Sequence, residues 1–245
     1  MSMEFKRERE KIDDSNVFIK SRTTIDGSVE FYDVTGPLWN IFYIELKRGV
    51  FQWKTLDGIV TPKSNKFFIF LPENAACIDL YKDAEIELVG LYSNSECPIK
   101  EARPFYFDLA DQDEPKTYED LISFFNIEFE PNYIDYNPFP DPLGVLLKKT
   151  IDDRFSEGIE IADVCKVTGK APAVVSRVFK KNFGFTPKNY MNMVRMSYAE
   201  FLLGIDHEIK DVVFDVGFKD FSRFYKVFKK KLKGTPKGIK TLIKE

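Results

Sequence analysis

Residues 161–179 read IADVCKVTGKAPAVVSRVF, and residues 209–228 read IKDVVFDVGFKDFSRFYKVF. Laid over each other, the two stretches repeat. Ile161 meets Ile209, Val164 meets Val212, Cys165 meets Val213 and Gly169 meets Gly217, each 48 positions on. The second copy then carries one extra residue, so that Val175 meets Phe224, Arg177 meets Lys226 and Phe179 meets Phe228, 49 positions on. A repeat defines the unit of architecture, so this one is read first.

Each copy has the residues of a short helix, a tight turn and a second helix. In the first, Ile161, Val164 and Cys165 form a short apolar face. Gly169 follows, where a residue free to take positive φ lets the chain turn sharply. A second helix is expected to start near Ala171-Pro172, since proline suits a first helical turn. Its inward residues are Val175, Val178 and Phe179, and its outer ones are Ala173, Val174, Ser176, Arg177, Lys180 and Lys181. A helix pair with a glycine turn and a basic outer face is the helix-turn-helix plan, in which the second helix enters the major groove of DNA. In the second copy Gly217-Phe218 makes the turn and Asp220 is placed to cap the next helix. Phe224, Val227 and Phe228 face inward. Phe221, Ser222, Arg223 and Lys226 would face DNA, with Lys229 and Lys230 near the phosphates.

Charge points the same way. The chain is net −3, but residues 1–142 carry 15 Lys+Arg against 27 Asp+Glu, and residues 143–245 carry 21 against 12. A net −12 part therefore precedes a net +9 part, the split expected of two domains with different partners. A basic helical segment on its own is also what a solvated lysine-rich surface looks like; two copies in register argue for a polyanion binder.

The pattern resembles the AraC/XylS family of bacterial transcription regulators. The residues that carry the resemblance are Phe179-Lys180-Lys181-Asn182-Phe183-Gly184, then Thr186-Pro187 and Tyr190, then Arg195, Ala199 and Leu202-Leu203. They continue with Gly217-Phe218, Ser222, Phe224, Phe228-Lys229-Lys230 and Thr235-Pro236. The match runs from about Leu143 to Lys240. The chain departs from the pattern at Val213, where the family has a small residue, and at Lys233, with glycine one place late at Gly234. Its first reading helix, opening Ala171-Pro172-Ala173-Val174, is poor in polar readers, so that Arg177 is the candidate base reader there and Ala173 and Val174 offer apolar contact to thymine methyls. The resemblance implies a connector helix, for which Pro187–Ile205 has the apolar spacing. A rigid connector would set the reading helices into successive major-groove turns, about 34 Å apart.

Before the repeat the sequence reads as β. LWNIFYIEL (38–46), VFQWKT (50–55), KFFIFL (66–71) and EIELVGLY (85–92) are short, aromatic and branched, with turn signals at Lys47-Arg48-Gly49, Asp57-Gly58 and Leu71-Pro72-Glu73-Asn74. TYEDLISFFN (117–126) has helical spacing. Four prolines in residues 131–142 exclude a regular element there. The fold expected is thus α+β in two domains: an antiparallel β-barrel, cupin-like by the family resemblance, over residues 1–130, a Pro-rich linker over 131–142, and an all-α double helix-turn-helix domain over 143–245. A first helix of that domain is expected at Leu143–Phe155.

The barrel has two readings. As a small-molecule sensor it would line a pocket with Trp39, Tyr43, Phe51 and Trp53, with Lys47, Arg48 or Lys54 meeting an anion; any one of these aromatics is more simply core. As a dimerisation module it would use the 117–126 helix. No cofactor and no metal is expected. The one histidine, His207, lies at the end of the connector, and Cys77, Cys97 and Cys165 have no metal-ligand spacing. With no phosphate loop, no nucleophile elbow and Asp152-Asp153 adjacent rather than convergent, no catalytic residue is assigned and an enzyme is not expected. An odd cysteine set, a charged start and no long apolar run suit the cytoplasm and no membrane. The partners admitted are double-stranded DNA, a small-molecule effector, a second copy of the chain and RNA polymerase. The competing reading is a protein-interaction module on the same scaffold with weakened DNA binding.

Overall fold

A computed structural model describes residues 3–34, 36–55, 58–72, 75–99, 104–109, 113–126, 130–134, 141–232 and 236. The chain divides into two compact units, residues 1–136 and residues 137–241.

The first unit is one antiparallel sheet with a short helix on one face. Its strands are β1 (Met3–Lys11), β2 (Asn16–Ile25), β3 (Val29–Val34), β4 (Trp39–Thr55), β5 (Gly58–Val60), β6 (Lys66–Pro72), β7 (Ala75–Ser93), β8 (Phe105–Asp108) and β9 (Asn132–Tyr133). Among the described residues the order runs β1-β2-β7-β4-β6-β8-β9, with β3 on β7 and β5 on β4. The sheet does not close, so the expected barrel is instead an open, bent sheet. Its spine is the long β4–β7 ribbon. Asn16–Thr24 of β2 pair with the C-terminal half of β7 and β3 with its N-terminal half; β6 and β5 divide β4 in the same way. Among the described residues, the two ends of the order, β1 and β9, do not pair with each other.

The bend sits where the sequence suggested a turn. Lys47-Arg48-Gly49 does not end a strand; β4 runs straight through it with register shifts between Leu46 and Arg48 and between Arg48 and Val50. Gly49 has φ +89, and a Cβ there would strike the backbone of Ala84 on β7. Only glycine lets the two strands approach this closely at positive φ. Opposite it, Lys82 and Asp83 also take positive φ. The irregularity changes which face each side chain occupies. Before it, Trp39, Ile41 and Tyr43 share one face; after it, Phe51 and Trp53 lie on the other.

That first face carries the main core. Phe18, Trp39, Ile41, Tyr43, Phe68, Phe70, Phe107, Leu121 and Phe124 are buried together. Phe68 stacks on Phe107 and Phe124 at ring-centroid distances of 4.8 and 5.5 Å. The covering helix α1 (Tyr118–Ser123) begins at a capping box: Thr117 accepts from Asp120 N–H, and the Asp120 carboxylate accepts from Thr117 N–H. A 3₁₀ turn, Phe124–Asn126, continues it. Within the Pro-rich stretch, Asn132–Tyr133 adds to the sheet and Ile134 is buried; residues 135–140 lie outside the described set.

The second unit is all helical: α2 (Pro142–Arg154), α3 (Ile161–Thr168), α4 (Pro172–Phe183), α5 (Pro187–Gly204), α6 (Ile209–Asp215) and α7 (Phe221–Leu232). Its core is Leu147, Ile151, Val164, Val175, Phe179, Tyr190, Val194, Leu203, Val212, Phe224 and Phe228, all essentially inaccessible. α2 starts at the cap Asp141, whose side chain accepts from Leu143 N–H. Buried Asn182 ties it to α4: its Oδ1 accepts from Asp141 N–H and its Nδ2 donates to Val178 O.

Candidate nucleic-acid interface

The repeat becomes two helix pairs, α3–α4 and α6–α7. In the first, Asp163 accepts from the backbone N–H of Glu160 and pairs with Lys166, fixing the start of α3. These bonds hold the Asp163 carboxyl below its usual range, the Glu160 N–H first among them. Gly169 ends α3 in the left-handed region at φ +62, and Pro172 is the first residue of α4. In the second, Gly217 turns at φ +83, and Asp220 caps α7 by accepting from Arg223 N–H at 2.7 Å. The sharp turns are possible because neither position carries a side chain.

Both pairs pack on α5, the connector. It starts at Thr186, whose hydroxyl accepts from Asn189 N–H, and buries Tyr190, Val194, Ala199, Leu202 and Leu203. His207 lies exposed beyond its end. Tyr190 donates to Asp152 of α2, which also holds Lys148 at 2.6 Å; burial nevertheless pushes the Asp152 carboxyl up. Arg195 is the central tie. Nearly inaccessible, it donates through Nε to Phe155 O and through Nη2 to Ile159 O, both at 2.9 Å, and lies over the Phe218 ring. Burial, with Arg223 next, draws its pKa down to about 10, so it remains a cation at neutral pH. One guanidinium thus joins the segment entering α3 to the turn of the second pair.

A family profile described as "Helix-turn-helix domain" matches residues 164–241. The HTH-type transcriptional activator RhaS of Enterobacter sp. (strain 638) is 28% identical over 91 residues, 37% of this chain and 33% of that protein. RhaS of Klebsiella pneumoniae (strain 342) is 29% identical over the same shares. Over its helical unit the chain is similar to these activators and to the helix-turn-helix profile. The chain covers about a third of the length of these curated relatives. ToxT of Vibrio cholerae O395, solved with (E)-4-(8-methylnaphthalen-1-yl)but-3-enoic acid, shares the fold over all of both chains, with a TM-score of 0.53 at 14% identity.

In this helix-turn-helix unit the residues expected at the interface fall on two helices. On α4, Ala173, Arg177, Lys180 and Lys181 are exposed, while Val174 and Ser176 are half-buried. On α7, Phe221, Ser222, Arg223, Lys226, Lys229 and Lys230 are exposed. Arg223 stands apart from the rest: its Nη1 lies 3.7 Å from Glu160 Oε1 at the start of α3, toward the seam between the pairs. Tyr225, which the sequence pattern does not single out, is exposed on α7 one turn from Phe221 and in the stripe of Lys229. Its place in the repeat, opposite Ser176, was the available signal.

The four aromatics assigned to an effector pocket are not brought together. Phe51 and Trp53 line a cavity of about 120 Å³ in the sheet unit, with Phe42, Ile69, Leu80 and Arg7 also in its wall. Trp39 and Tyr43 belong to the core on the other face, where burial, with Glu45 next, pushes the Tyr43 phenol up to about 12. The cations expected to meet an anion are engaged elsewhere: Lys47 pairs with Glu45 and Glu87, and Arg48 with Glu85. The side chain of Lys54 lies outside the described residues. Arg7, a residue of the charged N-terminal strand, also lines the cavity.

Proposed function

We propose that this chain is a sequence-specific DNA-binding transcription regulator. Residues 143–245 are its DNA-binding part, residues 1–130 its sensor or dimerisation part, and 131–142 the link. The observation that carries this reading is the pair of helix-turn-helix units on one buried connector, each turning an exposed basic helix outward. Similarity to the RhaS activators supports it. Electrostatics would supply most of the affinity, so a mobility-shift titration should show binding that weakens steeply with salt. The footprint should span two successive turns of the duplex. Arg177→Ala and Lys226→Ala should each cost about 1–3 kcal/mol if the side chain reads a base edge. Binding that ignores salt, or a footprint of one turn, would favour the protein-interaction module instead. RNA polymerase is a partner to test if the regulator activates, and the cytoplasm is the expected location; among the described residues no helix is long and apolar enough to cross a membrane.

The cavity supports control by a small apolar acid. Its wall is apolar apart from Arg7, Ser21, Thr23 and Tyr92, and the buried indole N–H of Trp53 has no acceptor among the described residues. At about 10–15 Å³ for each water-sized group, 120 Å³ suits a body of roughly ten heavy atoms. The solved relative holding an aryl butenoic acid, and a second ToxT structure described as bound to an unsaturated fatty acid (TM-score 0.50, 15% identity, 99% of this chain and 96% of that one), lend the chemical class. Medium-chain and aromatic acids should raise the melting temperature and alter tryptophan fluorescence, whereas the matching alcohols should not. Light scattering tests the dimer.

A further inference from the structure

Three large apolar side chains remain exposed close together in the second helix pair: Phe214 (54% exposed), Phe221 (42%) and Tyr225 (41%). Phe221 and Tyr225 are one turn apart on α7 and so share a face. Phe214, near the end of α6, meets Phe221 edge-on, with ring centroids 5.7 Å apart and planes at 90°. Single exposed apolar residues need no explanation. An aromatic pair held in contact at the first turn of a reading helix, with a third ring along the same stripe, is a shaped apolar surface.

The surroundings of the rings indicate what covers them. Among the described side chains, Ser222, Arg223, Lys226, Lys229 and Lys230 are the other exposed residues of α7, so the apolar stripe runs inside a cationic rim. That rim suits a polyanion with apolar groups on its readable surface. In the major groove those groups are the thymine 5-methyls. Neither reading helix exposes an asparagine or glutamine, the side chains that grip adenine bidentately: the one carboxamide on them, Asn182, is buried and bonded to Val178 and Asp141.

We infer that Phe221, braced by Phe214 and continued by Tyr225, reads consecutive thymine 5-methyl groups in the major groove. This rests on the DNA-binding reading and adds the base that the second unit selects. Lys226, one turn and one residue beyond Phe221, is left for a guanine edge or a phosphate beside the thymines.

The test uses the 245-residue chain and a random duplex pool. Bound duplexes are selected, and the tightest is remade with each thymine in turn replaced by deoxyuridine, which removes only the methyl. Each methyl in contact is worth about a fourfold loss of affinity, the transfer value of one buried methylene. Two thymines in the half-site of the second unit should show that loss. Phe221→Ala should weaken binding to the thymine duplex and become indifferent to uracil at those positions. Phe214→Ala should do the same in part, and Tyr225→Phe should keep the discrimination. Both phenylalanines are exposed, and circular dichroism checks that the variants keep their helices. If a selected duplex binds wild type equally with thymine or uracil everywhere, the inference fails while the DNA-binding reading stands. If no duplex is selected at all, both fail.

Discussion

Gly169 and Gly217 occupy equivalent places in the two helix-turn-helix units, yet alanine should be tolerated at one and not at the other. Both have left-handed backbone, at φ +62 and +83, so a Cβ at either costs about 1–2 kcal/mol in conformational strain, partly offset by a stiffer unfolded chain. Around Gly169 nothing lies within 4 Å of a Cβ, and the cost ends there, at about 1 kcal/mol. At Gly217 the methyl would land far inside contact with the Phe155 carbonyl oxygen, with Gly158 N at 3.1 Å and Arg195 Nε at 3.2 Å. Those are backbone atoms and a buried guanidinium. The Phe155 carbonyl cannot retreat without giving up the bond it accepts from Arg195 at 2.9 Å. A buried hydrogen bond to a charged group is worth about 1.5–3 kcal/mol, so Gly217→Ala should cost roughly 3–5 kcal/mol in all.

The two units can be followed separately in the intact chain. Both tryptophans, Trp39 and Trp53, belong to the sheet unit, so tryptophan fluorescence reports that unit, while far-ultraviolet circular dichroism reports chiefly the helical one. For a unit of this size 1 kcal/mol moves the midpoint by about 4–8 °C. Gly169→Ala should therefore lower the helical transition by several degrees and Gly217→Ala by more than about 12 °C. The fluorescence transition, as internal control, should stay near its wild-type position in both. Equal losses in the helical signal, or a larger loss for Gly169→Ala, would refute the reasoning. So would a Gly217→Ala protein of unchanged stability.

Three further outcomes follow from neighbouring contacts. Arg195→Met should destabilise the helical unit by about 3 kcal/mol or more, measured by urea unfolding, because the carbonyls of Phe155 and Ile159 both lose a charged donor. Gly144→Ala should destabilise wild type, since its Cβ would come within 2.7 Å of the Asn182 amide carbon, but should stabilise an Asn182→Ala background by up to about 1 kcal/mol, the ordinary gain of alanine over glycine inside a helix; a double-mutant cycle reads the change of sign. The carboxylate of Asp163 is held below its usual range, so its contribution is present above the ordinary carboxylate pKa and is lost as pH falls through the lowered value; amide exchange at the start of α3 should quicken there, and Asp163→Asn should remove that dependence.

The helical unit was far more legible than the sheet. Its periodicities are local: Val164, Cys165 and Gly169 announce a helix and its end without reference to anything distant, and the second copy says the same again. The sheet depends on a register that no local pattern carries. Trp39, Tyr43, Phe51 and Trp53 are all odd-numbered, so alternate counting puts them on one face; the shifts around Gly49 send the last two to the other side. Strand β1 shows only charge in the sequence, because Arg7 and Arg9 take places where an apolar residue would show the period. Phe214 is illegible for the opposite reason: in a sequence an exposed phenylalanine looks like core.

Arg195 also bears on how the two reading helices could act as one. Its two acceptors, Phe155 O and Ile159 O, lie just ahead of α3, while the ring beneath it, Phe218, lies in the turn before α7. The closeness of Gly217 to Phe155 belongs to the same arrangement, since a side chain at 217 would push the two pairs apart. Relative placement of the pairs therefore rests on backbone carbonyls and a planar cation, which have little freedom, rather than on flexible side chains meeting at the surface. Lysine could reach one of those carbonyls but not span both in the guanidinium's fixed fork. Arg195→Lys should consequently keep much of the stability that Arg195→Met loses while loosening the register of the two reading helices. A shortened footprint, with the second half-site protected less, is the expected result; an unchanged footprint with unchanged affinity would show that α5 alone sets the spacing.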